Sequence, residues 1–343
     1  MKFLDALIHR GMAPTAVQRI LVALAIASVA AAMHYSGNAS DGGLSDFSIL
    51  WYGSKVLAEG GNPYDLIGPH RSIDLPSSVF YPAPALVALM PFALIPSRLA
   101  GTVFIFLSAA LLVYGATRDG WHRLPIFPSV AFMTSARQGQ LSAFICAALF
   151  IPALSFFSVA KPQASLPILA AARSVRPWLL AIAGGILFTL ISFLLLPSWP
   201  AGWWKSLAAA DYFRPPIMTI PGAFIALVLL CWRRPEAWLV FVAACLPQTW
   251  YPYNGLILLT IGATYRESAV LSLVSSSGWL ITYGWLIGEW RSPETHAVMQ
   301  LMLILLGYLP AVILVLRRKN EAPTPIWLRY GRQPSATSTT KFS

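Results

Sequence analysis

Residues Ser45–Asp65 read SDFSILWYGSKVLAEGGNPYD, the opening of the longest polar interruption in an otherwise apolar chain. Ser45 is a natural N-cap and places Asp46 in the first helical turn. Phe47, Leu50, Trp51, Leu57 and Ala58 recur at helical spacing, so one face of this helix is expected to press into a membrane interface. Asn62-Pro63-Tyr64-Asp65 closes the stretch as a turn, because proline fixes φ and asparagine and aspartate bond their own backbone. The dipole of a helix N-terminus stabilises a carboxylate, so Asp46 is expected to be ionised at neutral pH. It then either only caps the helix or accepts a proton from a substrate hydroxyl as a general base.

The rest of the chain decides what surrounds this loop. Of 343 residues, 57% are hydrophobic and 11% charged, against about 25% charged in a soluble domain, and the mean hydropathy is +0.65. The expected fold is all-α, a polytopic transmembrane helical protein. The net charge of +11 reads as topology rather than as a nucleic-acid footprint, because Lys and Arg favour cytoplasmic loops. Cys146, Cys231 and Cys245 lie in apolar runs and read as core packing. The five histidines (His9, His34, His70, His122, His296) are scattered, and there is no P-loop, dinucleotide glycine fingerprint or His-Glu zinc motif. No cofactor or metal is expected.

Twelve apolar segments follow: one ending near His34, then 82–96, 99–117, 124–136, 141–160, 162–172, 177–196, 217–232, 237–247, 253–264, 268–290 and 296–316. Several have only 11–15 residues and fall short of a ~30 Å hydrocarbon core at ~1.5 Å per residue. They suggest re-entrant or broken helices, with ten to twelve membrane segments in all. The Ala30-Ala31-Ala32 run imitates a cleavage site, but the first helix reads as uncleaved. Both termini are then cytoplasmic in a multi-pass protein of the cytoplasmic (inner) membrane. Residues 1–319 form one membrane domain, with outer loops at 37–81 and 197–216 and a disordered tail at 320–343. Arg173 with Arg176, Arg233 with Arg234, Tyr265-Arg266-Glu267 and Arg317-Arg318-Lys319 are inside signals, and Pro247–Asn254 is outside. Trp199, Trp203 and Trp204 suit a helix in the headgroup layer.

Polar breaks supply further candidates. Arg137-Gln138-Gly139-Gln140 and Lys161-Pro162-Gln163 interrupt apolar runs. Charges at such depth either snorkel or face a cavity; in a cavity, Arg137 or Lys161 would meet a lipid phosphate. Gln248, Tyr251 and Asn254 either form a surface turn or hydrogen-bond a sugar.

The order of these motifs resembles glycosyltransferase family 87. It runs Asp46-Phe47, Trp51, Gly60-Gly61-Asn62-Pro63-Tyr64-Asp65, Tyr81-Pro82, Leu89–Pro96, Gly139-Gln140 and Lys161-Pro162-Gln163. That family comprises the polyprenol-phosphate-mannose-dependent mannosyltransferase-like membrane proteins of the GT-C fold, and the resemblance covers roughly residues 20–200. It implies that a sugar, mannose-like, moves from a polyprenyl-phosphate donor to a glycan or glycolipid acceptor, with inversion and with Asp46 as base. It also implies that Trp51, Tyr64 and Tyr81 shape the loop and that Gln140 and Lys161 line the pocket, with Arg137, Lys161 or Arg71 on the donor phosphate. Asp65 and Gln163 complete the substrate-binding candidates. Gly139 to Lys161 leaves room for one full span or two half-length pieces, which decides whether Gln140 and Lys161 share a site. The same features suit a non-catalytic polyprenyl-phosphate binding or transport protein, or a subunit of an envelope-assembly complex. Nucleic acid is not an expected partner; membrane lipids are.

Overall fold

A computed structural model describes residues 14–40, 45–208, 214–249, 251–285, 293–321, 325 and 327. The basic segment 1–13 and most of the tail lie outside the described residues. The protein is mostly helical, and the one strand pairing among the described residues joins Ile67–Gly68 to Ile73–Asp74. Four helices are long and apolar enough to cross a membrane: Ala16–Gly37, Ser97–Ala116, Arg176–Leu195 and Ala297–Leu316. On Arg176–Leu195, Leu179, Ile182, Ile186, Leu190 and Leu194 all face outward. An apolar surface that size belongs in acyl chains rather than water.

Contacts at the helix ends sort the chain into two ends. Arg19 donates to the Tyr114 carbonyl at 2.5 Å and stacks on its ring at 4.0 Å. Arg98 donates to the Tyr35 carbonyl at 2.7 Å. Helix Ser97–Ala116 therefore runs antiparallel to Ala16–Ser40 and starts where the first helix stops. The segment between them returns rather than crosses, which corrects the span expected at 82–96. It is a seven-residue helix, Ala83–Leu89, followed by a 3-10 turn carrying Pro91. The Asp46 helix supports it throughout: the Ser54 hydroxyl donates to Leu86, and the Trp51 indole donates to the carbonyls of Phe92 and Ile95.

A second return replaces the span expected at 141–160. Helix Ser142–Ala147 leads down to Phe150, which packs on Gly115 and lies 5.1 Å under the Arg123 guanidinium. A 3-10 helix, Pro152–Ala160, climbs back. At about 2 Å per residue this geometry gains height faster than an α-helix, so a short segment completes the V. Helix Arg176–Leu195 leans on the climbing arm, and a Cβ at Gly184 would fall 1.8 Å from the Phe156 carbonyl oxygen.

Segments expected on one side meet at one end. Arg318 donates to Glu267 at 2.7 Å and lies 3.5 Å from Glu236; Arg234 lies 3.7 Å from Glu236 and donates to the Lys319 carbonyl. Segments expected on the other side also meet. The Trp203 indole donates to the Phe80 carbonyl, Gly202 packs on the Tyr64 ring, and Arg214 bridges to Gln248. Helix Trp199–Ala208 thus covers the first loop instead of lying apart from it. The tail expected to be disordered from 320 is ordered at Trp327, which meets Trp238 edge-on at 4.4 Å and donates to the Ala170 carbonyl.

Candidate functional site: an acid, an amide and a buried lysine

The Asp46 helix starts where its N-cap predicts. It spans Asp46–Ala58 behind Ser45, and the Ser48 hydroxyl accepts the Ser45 N–H at 3.0 Å. Phe47 anchors it in an aromatic cluster, stacked on Phe104 at 5.1 Å and edge-on to Phe92 at 6.1 Å; such pairs contribute about 0.5–1.5 kcal/mol each beyond area burial. The Asp46 N–H then donates to the Gln138 carbonyl at 3.0 Å, tying the first loop to the Arg137–Gln140 break.

That break is a helix C-terminus. Helix Val130–Arg137 ends with Gly139 at φ +68°; Gly139 N–H donates to Ala136 and Gln140 N–H to Ser135. This is a Schellman ending, and it favours a glycine in the left-handed position. Close packing demands glycine as well, because a Cβ at Gly139 would fall 2.6 Å from the Phe47 Cβ.

The turn delivers Gln140 onto Asp46. The Gln140 amide donates to the Asp46 carboxylate. Its carbonyl oxygen accepts from the Lys161 ammonium at 3.1 Å, and Lys161 also donates to the Ser142 hydroxyl at 3.3 Å. The ammonium lies 5.2 Å from the Tyr253 ring centre. Gln140 and Lys161 share one site because the V of 141–160 returns the chain to its starting level: two half-length pieces, not one span.

Burial sets the electrostatics. Asp46 is half-buried, and its pKa is raised, chiefly by desolvation, with the Gln140 hydrogen bond and the Lys161 charge pulling it back. Desolvation acts here against the stabilisation expected from the helix N-terminus. Lys161, 6% exposed, is lowered to about 8 by burial, with Asp46 and then Cys146 opposing. It keeps most of its charge at neutral pH. The phenols of Tyr81 and Tyr253 are both pushed up, by burial first and by the Asp46 charge second, which puts both hydroxyls within the field of that carboxylate.

The other candidates fall elsewhere. Trp51 is held by Phe92 and Ile95; the Tyr64 hydroxyl donates to the Tyr81 carbonyl, and Arg71 donates to the carbonyls of Tyr64 and Ile67. Asp65 accepts from the Asn62 amide at 2.6 Å. These residues frame the loop with their own hydrogen bonds. Arg137 is exposed and lies against Gly37 at the end of the first helix. The Gln248 amide nitrogen is spent on the Ala243 carbonyl and the Tyr308 hydroxyl, and that of Asn254 on Thr249. Tyr251 stacks on Tyr253 at 5.5 Å and stays 37% exposed. Gln163 lines a narrow cleft with Ser142, Gln248, Tyr253 and Asn254.

Sequence reasoning missed Tyr253 and Ser142. Nothing separates Tyr253 from Tyr251 in the run PQTWYPYN, and Ser142 is one serine among many. It also missed a large apolar cavity of about 520 Å³, lined by Ile20, Leu24, Leu107, Leu111, Phe144 and Phe157. This groove runs from Tyr114 to Leu141 and Ala160, the neighbours of Gln140 and Lys161. Among the described residues no three His, Cys, Asp or Glu side chains gather as metal ligands. No protein-family profile, curated protein or solved structure matches the chain.

Proposed function

We propose that this protein is a membrane glycosyltransferase of the GT-C type, resembling family 87, that moves a sugar from polyprenyl phosphate to an acceptor hydroxyl with inversion. The observation that carries this reading is the chain Asp46–Gln140–Lys161, beside which Leu141 and Ala160, the residues next to Gln140 and Lys161, line an apolar groove. Asp46 takes the proton of the acceptor hydroxyl. The freed oxygen pair attacks the anomeric carbon from the face opposite the phosphate. The bond from that carbon to the phosphate oxygen breaks, and polyprenyl phosphate leaves with the electron pair. Lys161 stabilises the charge that grows on it. A carboxyl pKa raised by burial suits a base that must hold the proton it takes.

In this reading the chain crosses the cytoplasmic membrane roughly ten times, with 83–94 and 141–160 re-entrant. The Arg318 cluster and both termini are cytoplasmic, and the Asp46 loop is outside, where an envelope glycan or glycolipid accepts the sugar. Positively charged segments gather at the Arg318 end, as the positive-inside rule requires.

One observation favours a second reading, a non-catalytic binder or carrier of polyprenyl phosphate: Gln140 already occupies the Asp46 carboxylate, while the Lys161 ammonium, bonded to Gln140 and Ser142, has a third N–H to give an anion. Incubating the purified protein in nanodiscs with labelled polyprenyl-phosphate mannose and glycan acceptors decides between them. Labelled glycan made by the parent and not by Asp46→Asn supports the enzyme. Saturable binding without product supports the carrier, and neither binding nor product sinks both.

A further inference from the structure

We infer that His34 is a positioning residue: it holds helix Val130–Arg137 by its C-terminal carbonyls, so that Gln140 reaches Asp46. The inference rests on the reading of Asp46, Gln140 and Lys161 as the working site.

His34 stands near the end of the first long helix, in an apolar context, and is 1% exposed. An ionisable side chain there is costly and needs a partner. Its Nδ1 lies 3.2 Å from the carbonyl oxygen of Ala136 and 3.2 Å from that of Arg137. A carbonyl only accepts, so the hydrogen sits on Nδ1. These two carbonyls belong to the last turn of Val130–Arg137; that of Ala136 also accepts the Gly139 N–H, and His34 adds a side-chain donor to both.

The other edge of the ring is enclosed by two glycines. A Cβ at Gly101 would fall 2.4 Å from Nε2, and one at Gly139 would fall 2.9 Å from Cε1. Three elements thus close on one imidazole: the first helix, helix Ser97–Ala116 and the break before Gln140. Packing alone would be met by a leucine. What histidine adds is a directed donor, three residues before Gln140, on the segment whose Gln138 carbonyl also receives the Asp46 N–H. If that anchor is lost, the turn keeps its own Schellman bonds and the Asp46 N–H, but the helix end they are built on shifts, and the Gln140 amide leaves the carboxylate.

The test uses the full chain in nanodiscs with His34→Leu and His34→Asn. In asparagine, Nδ2 hangs from Cγ as Nδ1 does in histidine, so the donor is kept. The readout is the pH at which the Asp46 carboxyl band titrates in difference infrared spectra, assigned with Asp46→Asn. Lys161, Tyr81 and Tyr253 are the other titratable groups facing Asp46. We expect His34→Leu to move the midpoint upward, since the Gln140 hydrogen bond that lowers it is gone, and His34→Asn to restore it. Transfer, where measured, falls about 10²-fold in kcat with KM little changed in His34→Leu. An unshifted midpoint in His34→Leu, or an equal shift in His34→Asn with helical content intact, overturns the proposal. Should His34→Leu fail to fold, His34→Gln replaces it: its extra methylene carries the donor away from both carbonyls, and equal midpoints for His34→Gln and His34→Asn overturn the proposal. The infrared readout needs no turnover, so a failed transfer assay leaves this test standing.

Discussion

At the basic end, Arg318 meets Glu267 at 2.7 Å and Glu236 at 3.5 Å, charge against charge. At the loop end, the neutral side chain of Gln140 stands between Asp46 and Lys161 and bonds to both. Both clusters join distant parts of the chain, but they leave different chemistry behind. A direct pair satisfies both partners and becomes a latch. An amide spacer passes a hydrogen bond along while keeping carboxylate and ammonium apart, and attraction weakens with separation. Neither charge at the loop end is therefore neutralised by direct contact with the other. Burial acts on the two charges of the loop end in opposite directions: it raises the Asp46 pKa and lowers that of Lys161.

The comparison breaks most visibly at Asp46. Asp46→Asn should cost about 10²–10⁴-fold in transfer while the protein still extracts and melts like the parent; labelled-glycan assays measure the first and thermal scanning the second. Lys161→Met should follow, losing about 10²–10³-fold. The parent's rate should fall as pH rises through about 8, where Lys161 gives up its proton, and that alkaline limb should vanish in Lys161→Met. Gln140→Glu sharpens the contrast by turning the site into a latch. A carboxylate against Lys161 should cost about 10-fold or more in rate and move the alkaline limb upward, because an added negative charge favours the protonated amine. The smallest effect on rate belongs to Arg318→Ala. Transfer should stay within about twofold, while stability drops by about 2 kcal/mol for the lost charged hydrogen bonds, read as a lower melting midpoint.

Local signals in the sequence were legible where one residue type has one job. Ser45 marks a helix start, and the structure begins a helix after it; Asn62-Pro63-Tyr64-Asp65, expected as a turn, forms a single helical turn capped by Asn62. The first and last long apolar runs are helices of spanning length. Gln140 and Lys161 were legible as polar breaks and did come together. The path between them was not, because an apolar run of twenty residues looks the same whether it crosses or doubles back. Only its local geometry, a short α-helix and a 3-10 arm meeting at Phe150, tells the two apart. Arg71 and Gln248 are bonded within the chain itself, which the sequence does not reveal. A polar group in an apolar chain must bond something, and sequence does not say whether that partner is a substrate or the chain's own backbone. His34 was passed over because its partners are carbonyls a hundred residues away, which carry no side-chain signature.

The doubled-back arm has a consequence for how this chain can drift. Each 3-10 residue turns the helix by a third of a circle and raises it by about 2 Å. Deleting one residue from Pro152–Ala160 would swing Lys161 away from Gln140 with neither residue itself altered. Swaps among apolar residues in 141–160 should pass as near-neutral variation, whereas a single-codon insertion or deletion there should behave as a null allele. What is inherited in that interval is a length more than a composition.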